Sequence, residues 1–160
     1  MAKKLLRPGK VVVILAGRHA GKKAVIVKTF DEGHGERKFG HCIVAGLERC
    51  PKKVTKAMGE KKIKRRSSVK PFIRAVNYNH ILPTRYQVDF DLKKLSLKSG
   101  DGKEGESINV DETTLKDKST RDLARKALKQ AFQEAYEAFD AKKEGKGKVG
   151  EYYFYTKLRF

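Results

Sequence analysis

The stretch LAGRHAGKKAVIV, Leu15 to Val27, holds the residues whose types and spacing come nearest to chemistry. Gly17, Gly21 and Lys22 lie between apolar runs, the composition of a loop that cradles phosphate. A nucleotide-binding loop of that kind reads G-x-x-x-x-G-K-[ST]. Here three residues, not four, separate the glycines, and Lys23 stands where the magnesium-binding hydroxyl belongs. The next segment, AVIVKTF, is strand-forming, whereas the nucleotide loop needs a helix whose N-terminus faces the anion. All three departures argue against a nucleotidase. A strand–loop–strand unit fits better. Its glycines permit positive φ or close backbone approach, and its loop presents Arg18, His19, Lys22 and Lys23. Those side chains suit the phosphate oxygens of a polynucleotide backbone.

A denser group of cations lies at Lys52, Lys53, Lys56, Lys61, Lys62, Lys64, Arg65, Arg66 and Lys70. Such a run can be a solvated face or an import signal. Its setting favours RNA. Residues 1–85 hold 22 Lys and Arg against 5 Asp and Glu, a net of +17, while residues 86–160 hold 16 against 14, a net of +2. Arginine forks onto phosphate and lysine acts as a point charge. Lys10, Lys157 and Arg159 extend the set of candidate cations. Around Pro83, Asn77 and Asn79 can read base edges or 2′-hydroxyls, Tyr78 and Tyr86 can stack on bases, and His80 and Arg85 lie beside them. The competing reading is a rigid corner set by Pro83 with the tyrosines in the core. We count Asn79, His80 and Arg85 among the RNA-binding candidates.

Other chemistry finds little footing. His34, His41, Cys42 and Cys50 could be offered as zinc ligands, but structural zinc takes close pairs such as C-x₂₋₄-C. These cysteines are eight positions apart. No Ser–His–Asp or Cys–His set has a local signature, and Glu134, Glu137 and Asp140 read as surface charges on a helix. We expect no catalytic residue, no metal, no cofactor and no small-molecule substrate.

Pattern predicts the elements that must position the cations. The chain has 160 residues, 39% apolar and 36% charged, with a net charge of +19. Charge of one sign in this excess repels itself and implies a polyanionic partner. No apolar run approaches the roughly 18–20 residues of a membrane-spanning helix, and MAKKLLRPGK lacks a signal-peptide core. Two cysteines fit a reducing compartment. Lys10–Leu15, Ala24–Phe30, Cys42–Leu47, Val69–Tyr78 and Arg85–Leu92 read as short strands between turns, enough for a small barrel. A short helix is predicted at Glu60–Arg66 inside the long basic segment 51–68. Residues 98–118 are polar and of mixed charge, and read as a flexible surface insertion. Leu123, Ala127, Leu128, Ala131, Phe132, Ala135, Tyr136 and Phe139 mark one face of a helix that starts at Ser119 or Thr120 and ends by Gly145. The tail EYYFYTKLRF reads as extended. Tyr152, Phe154, Thr156, Leu158 and Phe160 then share one side, and Tyr153, Tyr155, Lys157 and Arg159 the other. The division is 1–97, a β unit; 98–118, the insertion; and 119–160, helix and tail.

Pro8 to Lys28, PGKVVVILAGRHAGKKAVIVK, resembles a KOW motif, which occurs in ribosomal proteins and in transcription elongation factors. VAGLERCPKKVT (44–55), AMGEKKIKRRS (57–67), VNYNHILPTRY (76–86) and KLRF (157–160) narrow it. Together they resemble the eukaryotic large-subunit ribosomal protein family numbered twenty-seven, not the unrelated bacterial protein of that number. The resemblance is close to about residue 92, loose through the helix and clear again at the terminus. It implies a mainly β fold with an α extension: an SH3-like KOW barrel, then a C-terminal helix and an extended aromatic tail. It implies a structural role without catalysis, with large-subunit ribosomal RNA and neighbouring large-subunit proteins as partners and no membrane. The location it implies is the cytoplasmic ribosome, after assembly in the nucleolus. Segment 98–118 and the residues after the helix depart from the family pattern. Rival classes are a KOW-type transcription or RNA-processing factor that binds RNA transiently, and a chromatin-type module that binds protein tails.

Overall fold

Three runs of β-branched and small apolar residues set the framework. The computed structural model describes residues 4–90, 92, 94–98, 104–141 and 149–158. β1 (Lys10–Ile14), β2 (Lys23–Phe30) and β3 (His41–Arg49) pair antiparallel in sequence order. α1 (Glu60–Ser67) intervenes before β4 (Lys70–Asn77), which joins β3, and β5 (Ile81–Gln87), which joins β1. The five-stranded sheet has the order β4-β3-β2-β1-β5. Next come the hairpin β6 (Lys94–Lys98) and β7 (Glu104–Asn109), then α2 (Glu112–Lys116), α3 (Lys118–Ala141) and α4 (Val149–Tyr155).

The edge strands β4 and β5 are consecutive, joined only by a 3₁₀ turn at Tyr78–His80. A flat sheet would hold them about 19 Å apart, four spacings of about 4.8 Å. The four Cα steps from Asn77 to Ile81 reach roughly 14 Å at most. The sheet must curl until its edges approach, an architecture consistent with a small β barrel carrying a helical extension. Register shifts at Lys10/Val12, Ile26/Lys28 and Leu47/Arg49 add the local bends. At the first of these, the Thr84 hydroxyl donates to the Val11 carbonyl at 2.7 Å.

Val11 to Ile14 and Lys23 to Val27 are buried without alternation, so both sheet faces are covered. Val12, Ile14, Ala24, Ile26, Cys42, Val44, Phe72 and Ile81 form one cluster. Val11, Val25, Val27, Ile43, Ala45, Leu47 and Ile73 belong to the other, which Leu128 and Phe132 of α3 and Phe154 and Tyr155 of α4 complete. Leu95 of the hairpin and Val110 beyond it join this second cluster.

Several expectations change. The fifth strand is Ile81–Gln87, not Arg85–Leu92, and Pro83 lies inside it rather than setting a turn. An edge strand tolerates proline because one of its sides needs no donors. Segment 98–118, expected as a flexible insertion, holds β7, paired to β6 through Leu95↔Ile108, and α2, in which Glu112 and Thr114 are buried. The buried stripe of α3 runs Ala124, Ala127, Leu128, Phe132, while Leu123 is 39% exposed. Gly145, its expected stop, lies outside the described residues. The tail is a helix at Val149–Tyr155, not an extended strand. In a strand, Phe154 and Tyr155 would point apart; the helix lets both enter the core. There the Phe154 ring meets Phe132 at 5.2 Å, and the Tyr155 hydroxyl donates to the Phe132 carbonyl at 2.8 Å. Gly150 lets α4 approach β5 so closely that a Cβ there would overlap the Gln87 carbonyl oxygen.

Gly150→Ala is therefore expected to lift α4 from β5. Hydrogen exchange should report faster amide exchange across 149–155 with β2–β3 protection kept. Unchanged protection across α4 would mean the close approach is not needed.

Candidate nucleic-acid interface

The loop between β1 and β2 is built as the glycines require. Gly17 and Gly21 have φ of +83° and +72°, and open space surrounds both. Conformation, not crowding, selects glycine here. The Gly21 amide donates to Ile14 at 2.7 Å and the Ala20 amide to Gly17 at 3.0 Å, closing a tight tip. Arg18 is exposed on it and Lys22 half-buried.

Two loop candidates turn inward. His19 is buried, its ring stacked on Phe72 at 4.0 Å and 5°. Burial, then the Arg18 guanidinium, holds its pKa below the ordinary value, which favours neutral imidazole. Its Nε2 is buried without a hydrogen-bond partner among the described residues. Lys23 shares strand parity with Val25 and Val27, so it faces the cluster beneath α4. Its ammonium donates to the carbonyls of Tyr153 at 2.7 Å and Thr156 at 2.9 Å, and lies 3.7 Å from the Tyr153 ring centre. It caps the C-terminal end of α4, where the helix dipole favours a cation. Burial holds its pKa below the ordinary lysine value. Lys23 thus works inside the fold.

The basic segment stays outside. Lys52, Lys53, Lys56, Lys61, Lys62, Lys64 and Arg65 are exposed, and α1 has no buried residue. Arg66 is the tether: its Nε donates to the Lys53 carbonyl, and the Lys52 amide donates to the Arg66 carbonyl, both at 2.9 Å. Lys70 is exposed and pairs with Glu48 at 2.9 Å. Lys10 is half-buried and Lys157 exposed, while Arg159 lies outside the described residues.

At the 3₁₀ turn both readings have a share. The Asn77 side chain accepts from the Asn79 amide at 3.0 Å, and the Tyr78 hydroxyl donates to Asp31 at 2.8 Å. Tyr86 stacks on Tyr153 at 4.1 Å, with the Arg85 guanidinium 5.2 Å from its ring centre. These tyrosines serve the corner. Asn79, His80 and Arg85 remain exposed.

The zinc candidates go separate ways. Cys42 packs in the cluster with Val12 and Val44, and burial pushes its thiol up to about 12. Burial raises Cys50 as well. Neither is a ready thiolate. His34 and His41 meet Glu112 instead, the polar residue that pattern reading missed. Its carboxylate accepts from His34 Nδ1 at 2.9 Å, Arg37 Nη1 at 3.0 Å and His41 Nε2 at 2.5 Å. His41 is fully buried, and its Nδ1 lies 2.9 Å from the Phe39 carbonyl, so both ring nitrogens face acceptors. Burial pushes the Glu112 carboxyl up, but the bonds from His34, His41 and Arg37 outweigh it and hold the group below the usual carboxylate range. No sequence pattern marks a carboxylate whose partners lie over 70 positions away.

The cations thus lie mainly on loops and on one exposed helix, while His19, His41 and Cys42 are packed in the interior. The chain belongs to the Ribosomal L27e protein family, whose family model matches residues 11–160. It is 47% identical over 158 residues to the large ribosomal subunit protein eL27A of Schizosaccharomyces pombe, covering 98% of both chains.

Because the Glu112 pKa is depressed in the fold, its stabilisation is full above the unfolded value of about 4.3 and is lost as pH falls through the folded value. Glu112→Gln should cost roughly 1.5–3 kcal/mol at pH 7 and progressively less below pH 4. Urea unfolding of both proteins at pH 7 and pH 3.5 measures this. An equal loss at both would show that the carboxylate charge is not what matters.

Proposed function

We propose that the protein is a structural, non-catalytic constituent of the large ribosomal subunit that holds ribosomal RNA through backbone phosphates. The observation that carries this reading is α1 and its approach: seven exposed cations on a segment that is tethered to itself by Arg66, with a helix that buries no side chain. Such an arm contributes little to the core and concentrates charge where packed RNA strands need neutralising. Arg18, Lys22, Lys10, Asn79, His80, Arg85 and Lys157 supply further contacts. His19 and Lys23 act as supports behind the loop. The relative's name, a large-subunit protein, supports the subunit assignment. The ribosome-bound site of action is cytoplasmic, reached after assembly in the nucleolus, with neighbouring subunit proteins as additional partners.

We further read the curled sheet as an SH3-like KOW barrel. Its support is the strand order, with a 3₁₀ turn linking the two edge strands. In the three-part division, 1–97 is the scaffold, 98–118 a connection that carries β7 and α2, and 119–160 the helical arm that braces the sheet. Among the described residues no helix is long and apolar enough to cross a membrane.

The protein should stay with large-subunit particles through a high-salt sucrose gradient; release at moderate salt would favour a transient RNA-processing factor. Charge reversal at Lys62, Arg65 and Arg66 should reduce incorporation into particles while leaving the melting temperature of the free protein nearly unchanged. Normal incorporation of that variant would refute the role given to α1.

A further inference from the structure

Apart from α1, a cleft between the sheet and α3 gathers cations from segments far apart in the chain. Arg18 at the hairpin tip, Arg74 on β4, and Arg121 and Arg125 one turn apart on α3 line a cleft of about 330 Å³. His19 and Phe72 form part of its wall. We propose that this cleft is a phosphate site, seating one backbone phosphate of the RNA between the sheet and α3. The inference rests on the RNA-binding reading and adds a particular site to it.

The charge balance carries the proposal. Four guanidiniums face one space, and the acidic side chain lining it, Glu48, is paired with Lys70 at 2.9 Å. Arg125 pairs with Asp122 beside it, and Arg121 uses one nitrogen on the Leu115 carbonyl at 3.2 Å. A guanidinium has five N–H donors, so both keep donors to offer. The side chains of Arg18 and Arg74 make no hydrogen bond or ion pair among the described residues. Like charges held in one cleft repel, and an anion between them removes that cost. Planar forks matched to tetrahedral oxygens make phosphate the preferred anion.

The wall fits the same reading. His19 is over nine-tenths buried and fixed flat on Phe72. Burial, then the nearby arginines, lower its pKa and so favour the neutral ring, which shapes the cleft as a stacked wall. The fold also explains why α3 carries arginines here: Ala124, Ala127 and Leu128 face the core, which turns Arg121 and Arg125 toward the rim. An RNA strand bridging Arg18, Arg74 and α3 would clamp the helix to the sheet. The site therefore couples binding to the docking of the C-terminal arm.

The test uses full-length protein, a 20-nucleotide RNA hairpin and inorganic phosphate as probes. Arg74→Gln/Arg125→Gln should bind the RNA roughly tenfold more weakly. Its log–log salt slope should be shallower by roughly 0.7–0.9, one phosphate contact. Arg74→Lys/Arg125→Lys should recover the slope but only part of the affinity, since charge returns without the fork. Circular dichroism melts of each variant guard against misfolding. Phosphate, against chloride at equal ionic strength, should raise the melting temperature of wild type and not of the Gln variant. An unchanged RNA slope in a folded Gln variant overturns the site. If phosphate stabilisation is still lost in that case, the cleft belongs to free phosphate or to an acidic partner. Loss of RNA binding on reversing Lys62, Arg65 and Arg66, with the cleft variants silent, leaves the RNA reading standing and removes this inference alone.

Discussion

A sheet with no free face is the constraint on which the rest of the molecule depends. Every residue from Val11 to Ile14 is buried. A single layer of β-branched strands cannot satisfy that alone, because each strand places alternate side chains on opposite faces. One face is closed by curling the sheet until β4 and β5 are a 3₁₀ turn apart. The other is closed by α3 and α4, whose Leu128, Phe132 and Phe154 complete its cluster. With both faces of the central strands taken, a chain of net charge +19 puts its cations on the tip of the β1–β2 loop, the 52–66 arm, the rim of α3 and the exposed positions of the outer strands, such as Arg74 and Arg85. The electrostatic surface is the complement of the apolar accounting.

Two buried charged groups stitch the cover to the sheet. Lys23, from β2, binds the carbonyl end of α4, and Glu112, from α2, gathers His34, Arg37 and His41. Each joins segments more than 70 residues apart, and each is satisfied by several partners, as burial of charge requires. Burying such groups gains less than burying hydrocarbon. What they add is specificity. α4 can be seated at one place only, because its last carbonyls must reach one ammonium and Gly150 must meet Gln87. An apolar surface would allow sliding where these contacts do not.

Local pattern makes much of this legible in the sequence. β1 to β3 can be read because runs such as KVVVI and AVIVKTF are β-branched and bounded by turns, α3 because its apolar periodicity is helical, and α1 because Gly59 sets a break before it inside the long basic segment. The features that cannot be read depend on neighbours distant in sequence. Pro83 argues for a turn until one knows that β5 is an edge. EYYFY is rich in the aromatics that favour strands, and becomes a helix because Lys23 and Gln87 wait for its backbone. Residues 104–116 look solvated, since nothing local announces that Glu112 has three donors to meet. His19 and Lys23 look displayed because the loop is basic. Strand parity with Val25 turns Lys23 inward on paper, but the stacking of His19 on Phe72 needs the fold.

The distribution of self-repulsion completes the physical picture. α1 is eight residues long, below the roughly 12–15 at which an isolated helix is even marginal in water. It carries Lys61, Lys62, Lys64, Arg65 and Arg66, and it buries nothing. Its basic residues near the C-terminal end suit the helix dipole, worth only about 0.3–1 kcal/mol each. Two hydrogen bonds between Arg66 and the 52–53 backbone hold it closed. Such an element is stable at small margin in the free chain and gains most when its charge is screened. The core, by contrast, is closed by apolar contact that needs no partner. A rigid interior with a marginal cationic arm is what a scaffold requires if its form is to survive alone and its surface is to settle only against a polyanion.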